Sequence, residues 1–238
     1  MRVFRREPTG SLIADPAAWI EVAAPHPSTI TLTEGLLAQV HDLDDLRCLS
    51  QDGIYDEAVA QAACLLSAVT EAVIHGHTGG ALADAARHAD CDLNEVAAAA
   101  CWVTLNYPDH RVVILDLDAA LAQDTAEKVA LMPNVTIVDI GVSGASYDGG
   151  RVVPVDDYAG EAINAIDLAV SMHPDLVIAS LGIEGIPAAA AAARDLHLAK
   201  ACATAEIPVA FVVGDAPGRS ADAVARRQRA IETFAAVC

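Results

Sequence analysis

Acidic side chains at the ends of apolar runs are the chemistry-bearing residues of this chain. Asp116 and Asp118 close the run Arg111-Val-Val-Ile-Leu-Asp-Leu-Asp118, which continues into Ala119 and Ala120. Asp139 lies in Val135-Thr-Ile-Val-Asp-Ile140, Glu184 follows Leu181-Gly-Ile183, and Asp215 follows Val213-Gly214. A dense β-branched run without alternation reads as a strand buried on both faces of a parallel sheet. Ligands of open α/β sheets bind just beyond the carboxyl ends of such strands. Carboxylates gathered there could hold a hard cation through oxygen. The plainer alternative is that each acid caps the helix that follows it or faces water, Asp being a favoured N-cap. Alanines directly after the Asp116/Asp118 pair offer a metal nothing.

Other chemistries lack their residues. There is no Gly-x-Gly-x-x-Gly after the first strand, no Walker-type loop and no Gly-x-Ser-x-Gly elbow, so nucleotide binding and serine hydrolysis have no support. His75 and His77 stand two apart, His88 lies near Cys91, and His26, His41, His110, His173 and His197 share no evident centre. The cysteines Cys48, Cys64, Cys91, Cys101, Cys202 and Cys238 form no Cys-x-x-Cys pair. They read as small core hydrophobes in a reducing compartment.

The elements that must carry the acids follow from periodicity. Short strands are expected over Met1–Arg6 and Trp19–Ala24, then helices over Thr33–Val40, Asp42–Leu49, Tyr55–Ile74 and Leu93–Leu105, the last capped by Asp92. Gly76-His-Thr-Gly-Gly80 reads as a turn. Strands follow at 111–116, 135–140, 151–155, 175–181 and 208–213. They alternate with helices from about Thr125, where Asp124-Thr-Ala-Glu127 resembles a capping box, and over 159–172, 187–203 and 221–237. Alternation of this kind predicts an α/β fold, a three-layer α-β-α arrangement around an open, mainly parallel sheet. All of residues 1–238 read as one domain, and the loop 144–150 as its most flexible segment.

Composition narrows the function. Hydrophobic residues make up 54% of the chain but aromatics only 4%, so the core is expected to be Leu, Val, Ile and Ala. A net charge of −19 argues against nucleic acid and against anionic membrane surfaces. Apolar stretches such as Pro187–Ala193 fall short of the roughly 20 residues that span a bilayer. The basic start, Met1–Pro8, is followed by no apolar segment, so no signal peptide is expected. These readings predict a cytoplasmic protein.

The order of the pieces resembles the arginase–deacetylase superfamily, and within it the histone deacetylase-like branch. From about Glu21 onward, Leu36-Leu-Ala-Gln-Val-His-Asp-Leu-Asp-Asp-Leu46 resembles that family's early Leu-Leu…Val-His segment. Asp90-Cys-Asp-Leu-Asn-Glu-Val-Ala97 resembles its Phe-Cys-x-x-Asn-Asp helix start, matching at Cys91 and Asn94. Val112-Val-Ile-Leu-Asp-Leu-Asp118, Val153-Pro-Val155, Leu176-Val-Ile-Ala-Ser-Leu-Gly182 and Val209-Ala-Phe-Val-Val-Gly214 resemble its later segments in order. The resemblance implies a zinc site made by two aspartates and a histidine, with a pair of histidines and a tyrosine as catalytic groups. Asp118 matches the first aspartate. Ala120 stands in place of the histidine, Glu184 in place of the second aspartate. No histidine pair lies between Gly80 and Cys91, and no tyrosine follows Gly214. The resemblance further implies a structural monovalent cation, K+ or Na+, at the positions of Asp116 and Asp139.

Losing acid–base groups alone costs about 10²–10⁴ in rate. The chain is therefore expected to be a catalytically degenerate deacetylase-like protein, without catalytic residues or a cofactor, in which Asp118 and Glu184 are the remnant of a divalent site and zinc is not expected. It would act as a binding or assembly module, as a homo-oligomer or with a protein partner. The alternative is a metal-dependent, non-classical amide hydrolase with a rebuilt carboxylate site. Asp118, Glu184 and Asp215, with His88, would hold Mg²⁺ or Mn²⁺ there. A third is a small-molecule sensor using the old cleft.

Overall fold

The structure, a computed structural model, describes residues 1–5, 21–51, 55–82, 93–183, 185–214 and 221–237. Its centre is strand β4 (Val112–Asp116), buried along its whole length. Val113 and Leu115 point into one core, Val112 and Ile114 into the other, as the period of two requires when both faces are covered. Strands β7 (Leu176–Gly182) and β8 (Val209–Gly214) repeat the pattern.

Among the described residues the sheet has eight strands, completed by β1 (Arg2–Phe4), β2 (Glu21–Ala23), β3 (Gly79–Leu82), β5 (Val135–Gly141) and β6 (Gly150–Val152), in the order β2-β1-β3-β8-β7-β4-β5-β6. Every pairing is parallel. All carboxyl ends therefore lie along one edge. Helices α1 (Pro27–Val40), α3 (Tyr55–His75) and α4 (Glu95–Asn106) cover one face, with α2 (Leu43–Gln51) against α3 and α5 (Gln123–Val129) against α4. Helices α6 (Tyr158–Ser171), α7 (Ala188–Thr204) and α8 (Ala221–Val237) cover the other. This is the three-layer α/β fold with an open parallel sheet that the strand–helix alternation predicts.

Local differences from the sequence reading have physical causes. The glycines at 79 and 80 open a buried strand instead of ending a turn. Gly76, at φ +66°, ends α3. A Cβ on Gly79 would lie 2.4 Å from the Ala68 carbonyl oxygen, so α3 lies directly against β3 and only glycine fits. Strand β6 stops at Val152 because Pro154 has no N–H to extend the ladder. Helix α4 is capped by Asn94, whose Oδ1 accepts from Ala97 N at 2.8 Å. Asp92, expected as that cap, lies outside the described residues. The capping box at Asp124–Glu127 does not form, since α5 starts after Ala122, which has no side-chain acceptor.

Helix α3 is long and apolar enough to cross a membrane by length and composition. Here it is core, buried from Val59 through Ala72 at most positions. Cys64, Cys101 and Cys202 are buried, as expected of small hydrophobes.

Candidate functional site at the carboxyl edge of the sheet

Asp139, Asp116 and Ser180 are register partners across β5, β4 and β7. In a parallel sheet such partners project from the same face, here the face that carries α1, α3 and α4. Both carboxylates are buried, Asp116 to 4% exposure and Asp139 to 1%. Asp116 and Asp139 are thus part of a polar row that closes the top of an apolar layer.

Each acid has a defined task. Asp116 Oδ1 accepts from the Asp118 backbone N–H at 3.1 Å, which turns the chain after β4. Asp139 Oδ2 accepts from Ala122 N and from the Tyr147 hydroxyl, both at 2.6 Å. Burial pushes the Asp139 carboxyl above the usual aspartate range, against those two hydrogen bonds, which favour its charged form. Tyr147 is raised well above an ordinary phenol, first by burial and then by the charges of Asp139 and Asp116. Tyr147 carries no signal in the sequence. It sits in the 144–150 loop, which the sequence marks only by its glycines.

That loop is laced to the one after β4. The Ala119 carbonyl accepts from Val142 N at 2.8 Å, Ser143 N at 3.0 Å and Ser143 Oγ at 3.1 Å, and Leu121 N donates to Ser143 O at 3.2 Å. Ala120, where the resemblance implies a histidine ligand, pairs with Ser143 in an isolated parallel bridge. Its methyl offers no lone pair.

Asp118 lies between β4 and β7. Its Oδ2 accepts from Ser180 Oγ at 3.1 Å. Its Oδ1 packs on Gly182, where a Cβ would come within 1.7 Å of it. Glu184, Asp215 and His88, the other residues considered for a metal, lie outside the described residues. Among the described residues no three His, Cys, Asp or Glu side chains converge as a metal group. The described residues do not fit the zinc set that the resemblance implies, because alanine replaces its nitrogen donor. They do fit a monovalent cation between β4 and β5, where Asp139 Oδ1 is buried without a hydrogen bond beside buried Asp116.

Below Asp118, on the opposite face, lies a polar cluster that the sequence reading missed. Tyr158, the first residue of α6, donates its hydroxyl to Leu117 O at 2.6 Å. Arg194 of α7, fully buried, reaches Leu117 O, Gly182 O and the Tyr158 hydroxyl through one nitrogen and pairs with Asp195 through Nε. Burial by itself lowers an arginine pKa. Here Asp195 and Tyr158 outweigh it and hold the guanidinium above its ordinary value. The Tyr158 phenol is pushed up to about 12, mainly by burial. No pattern of spacing marks Arg194, which interrupts an alanine-rich helix.

A second polar node joins α1, α4 and α5. Buried His41 accepts through Nε2 from Asn94 N at 2.9 Å, and Asn94 Nδ2 donates to Asp124 Oδ2 at 2.9 Å and Thr125 Oγ1 at 2.8 Å. His41 and Asn94 both belong to the segments that carry the resemblance.

No protein-family model matches this chain, and no curated protein matches it either.

Proposed function

We propose that the chain is a catalytically degenerate, histone deacetylase-like protein that works as a non-catalytic binding or assembly module. The observation that carries this reading is how the Asp118–Ala120 turn is used. Asp118 is held inward by Ser180 and Gly182, the Ala119 carbonyl is saturated by three donors from 142–143, and Ala120 is committed to a bridge with Ser143. A turn built this way supports the sheet edge and presents no nitrogen ligand. The His41–Asn94 contact also supports the resemblance, since residues from two separate matched segments meet.

On this reading Asp116 and Asp139 would hold a structural K+ or Na+, which supplies positive charge between two buried carboxylates. The partner is a second copy of the chain or another protein. The strongly acidic chain is poorly suited to nucleic acid.

The test is a deacetylation assay on acetyl-lysine peptides and acetylpolyamines, with and without added zinc, alongside metal analysis of the purified protein. No turnover above the blank is expected. Turnover that a chelator abolishes would overturn the proposal. Native mass spectrometry across concentration tests assembly, and a monomer throughout would remove self-association from it. For the cation, K+ or Na+ should raise the melting temperature over choline at equal ionic strength, and Asp116→Asn should remove the difference.

A further inference from the structure

We infer that Arg194 is a fixed internal cation that positions the two strand ends on either side of Asp118. Three oxygens gather round its NH1: Leu117 O at 2.9 Å, Gly182 O at 2.9 Å and the Tyr158 hydroxyl at 3.1 Å. Two of them are backbone carbonyls, one from the residue just past β4 and one from the last residue of β7. A bound alkali ion would collect carbonyl oxygens in the same way, but here the charge arrives on α7. Its Nε is fixed by Asp195 at 2.8 Å, and the side chain has no exposure to solvent. Tyr158 completes the cluster by donating to Leu117 O while its oxygen accepts from Arg194.

The arrangement acts through Asp118. Leu117 precedes it in the chain, and Gly182 is the surface its carboxylate rests on. Holding both carbonyls fixes the floor and the wall of that carboxylate from the far side of the sheet. Arg226 of α8 extends the brace, donating through NH1 to Ile183 O and Ile186 O at 2.8 Å. Arg194 thus holds the last residue of β7, and Arg226 holds Ile183 and Ile186 beyond it. A buried charge is costly to keep unless several oxygens satisfy it, and a hydrophobe of similar size would fill the space more cheaply. The carbonyl contacts are what a hydrophobe could not make.

The experiment compares Arg194→Ala, Arg194→Met and Tyr158→Phe with the unaltered protein by amide hydrogen exchange. In both Arg194 variants the amides of Leu117, Asp118 and Ile183 should lose protection, while Val113, Ile114 and Phe211 in mid-strand keep theirs. Guanidinium ion, far below denaturing concentration, should restore protection in Arg194→Ala; choline at the same concentration should not. Tyr158→Phe should show a smaller loss at Leu117 and Asp118, with no response to guanidinium. Full protection of these amides in Arg194→Met would overturn the inference, and so would equal rescue by choline. If Arg194→Ala does not fold, the Arg194→Met and Tyr158→Phe patterns decide the question.

Discussion

Replacing Tyr147 by Phe removes one oxygen and leaves the ring in place against Gly150, where a Cβ would lie 2.4 Å from a ring carbon. No cavity opens, so the cost is the hydrogen bond. Its acceptor, Asp139 Oδ2, is left with Ala122 N alone. A hydrogen bond to a charged group contributes about 1.5–3 kcal/mol and a neutral one about 1 kcal/mol. With m near 2–3 kcal/mol/M in urea for a chain of this size, a loss of about 2 kcal/mol moves the unfolding midpoint down by roughly 1 M at unchanged m. The pH dependence has a definite sign. Burial raises the Asp139 pKa in the folded state, so its favourable contribution is complete below the ordinary aspartate value of about 4 and is lost as pH rises through the raised one. The Tyr147 bond opposes that loss by favouring the ionised form. Tyr147→Phe should therefore cost most at neutral pH, about 2 kcal/mol, and fall to about 1 kcal/mol in acid where Asp139 is protonated. A cycle with Asp139→Asn should give a coupling of about 1 kcal/mol or more. Additive single effects, or a midpoint shift that does not depend on pH, would refute the reasoning.

Further outcomes follow from other contacts. Asn94→Ala removes the cap of α4 and its ties to Asp124 and Thr125, and should cost about 2 kcal/mol or somewhat more by denaturant unfolding. Gly79→Ala forces a methyl onto the Ala68 carbonyl. Overpacking costs about 1–3 kcal/mol, and this case should reach the upper end, because backbone cannot swing aside; thermal unfolding reads it. In alkali, Tyr147 and Tyr158 are raised in the folded protein. The folded state therefore keeps protons that the unfolded chain loses from about pH 10 upward, and stability falls as pH rises through that window. Ultraviolet titration should show these two phenols ionising together with unfolding, and free ionisation of both below about pH 10 would contradict their burial.

The parallel sheet was legible because β4, β7 and β8 are buried on both faces and so read as uninterrupted apolar runs. Strand β3 was not legible. Its glycines carry no β signal, and the reason for them, the Ala68 carbonyl on α3, is a contact between separate elements. At the site, Asp116, Asp118 and Asp139 were found because strand ends are marked in sequence. Their partners were hidden for two reasons. Tyr147 lies in a loop whose folding back is set by Ala119 and Ser143, and Arg194 is a charge inside a helix, which sequence alone reads as facing water. The capping box at Asp124 was misread for a related reason: the Asp124 carboxylate accepts from Asn94 Nδ2 across the α4–α5 contact and pairs with Lys128 along α5, and the first of these is a contact between separate elements that spacing cannot show.

The strand order has a consequence for how the chain can assemble. Strands β1 to β3 form one local unit, and β4 to β7 form another. Neither touches the other in the sheet until β8, the last strand among the described residues, enters between β3 and β7. During synthesis both half-sheets would wait with an unpaired apolar edge, and such edges pair with other chains. Insertion of Val209–Gly214 is then the event that converts two half-sheets into one, and its long-range pairings make it the slow step. A lesion in β8 should appear first as aggregation of the nascent chain, before any loss measurable at the finished edge.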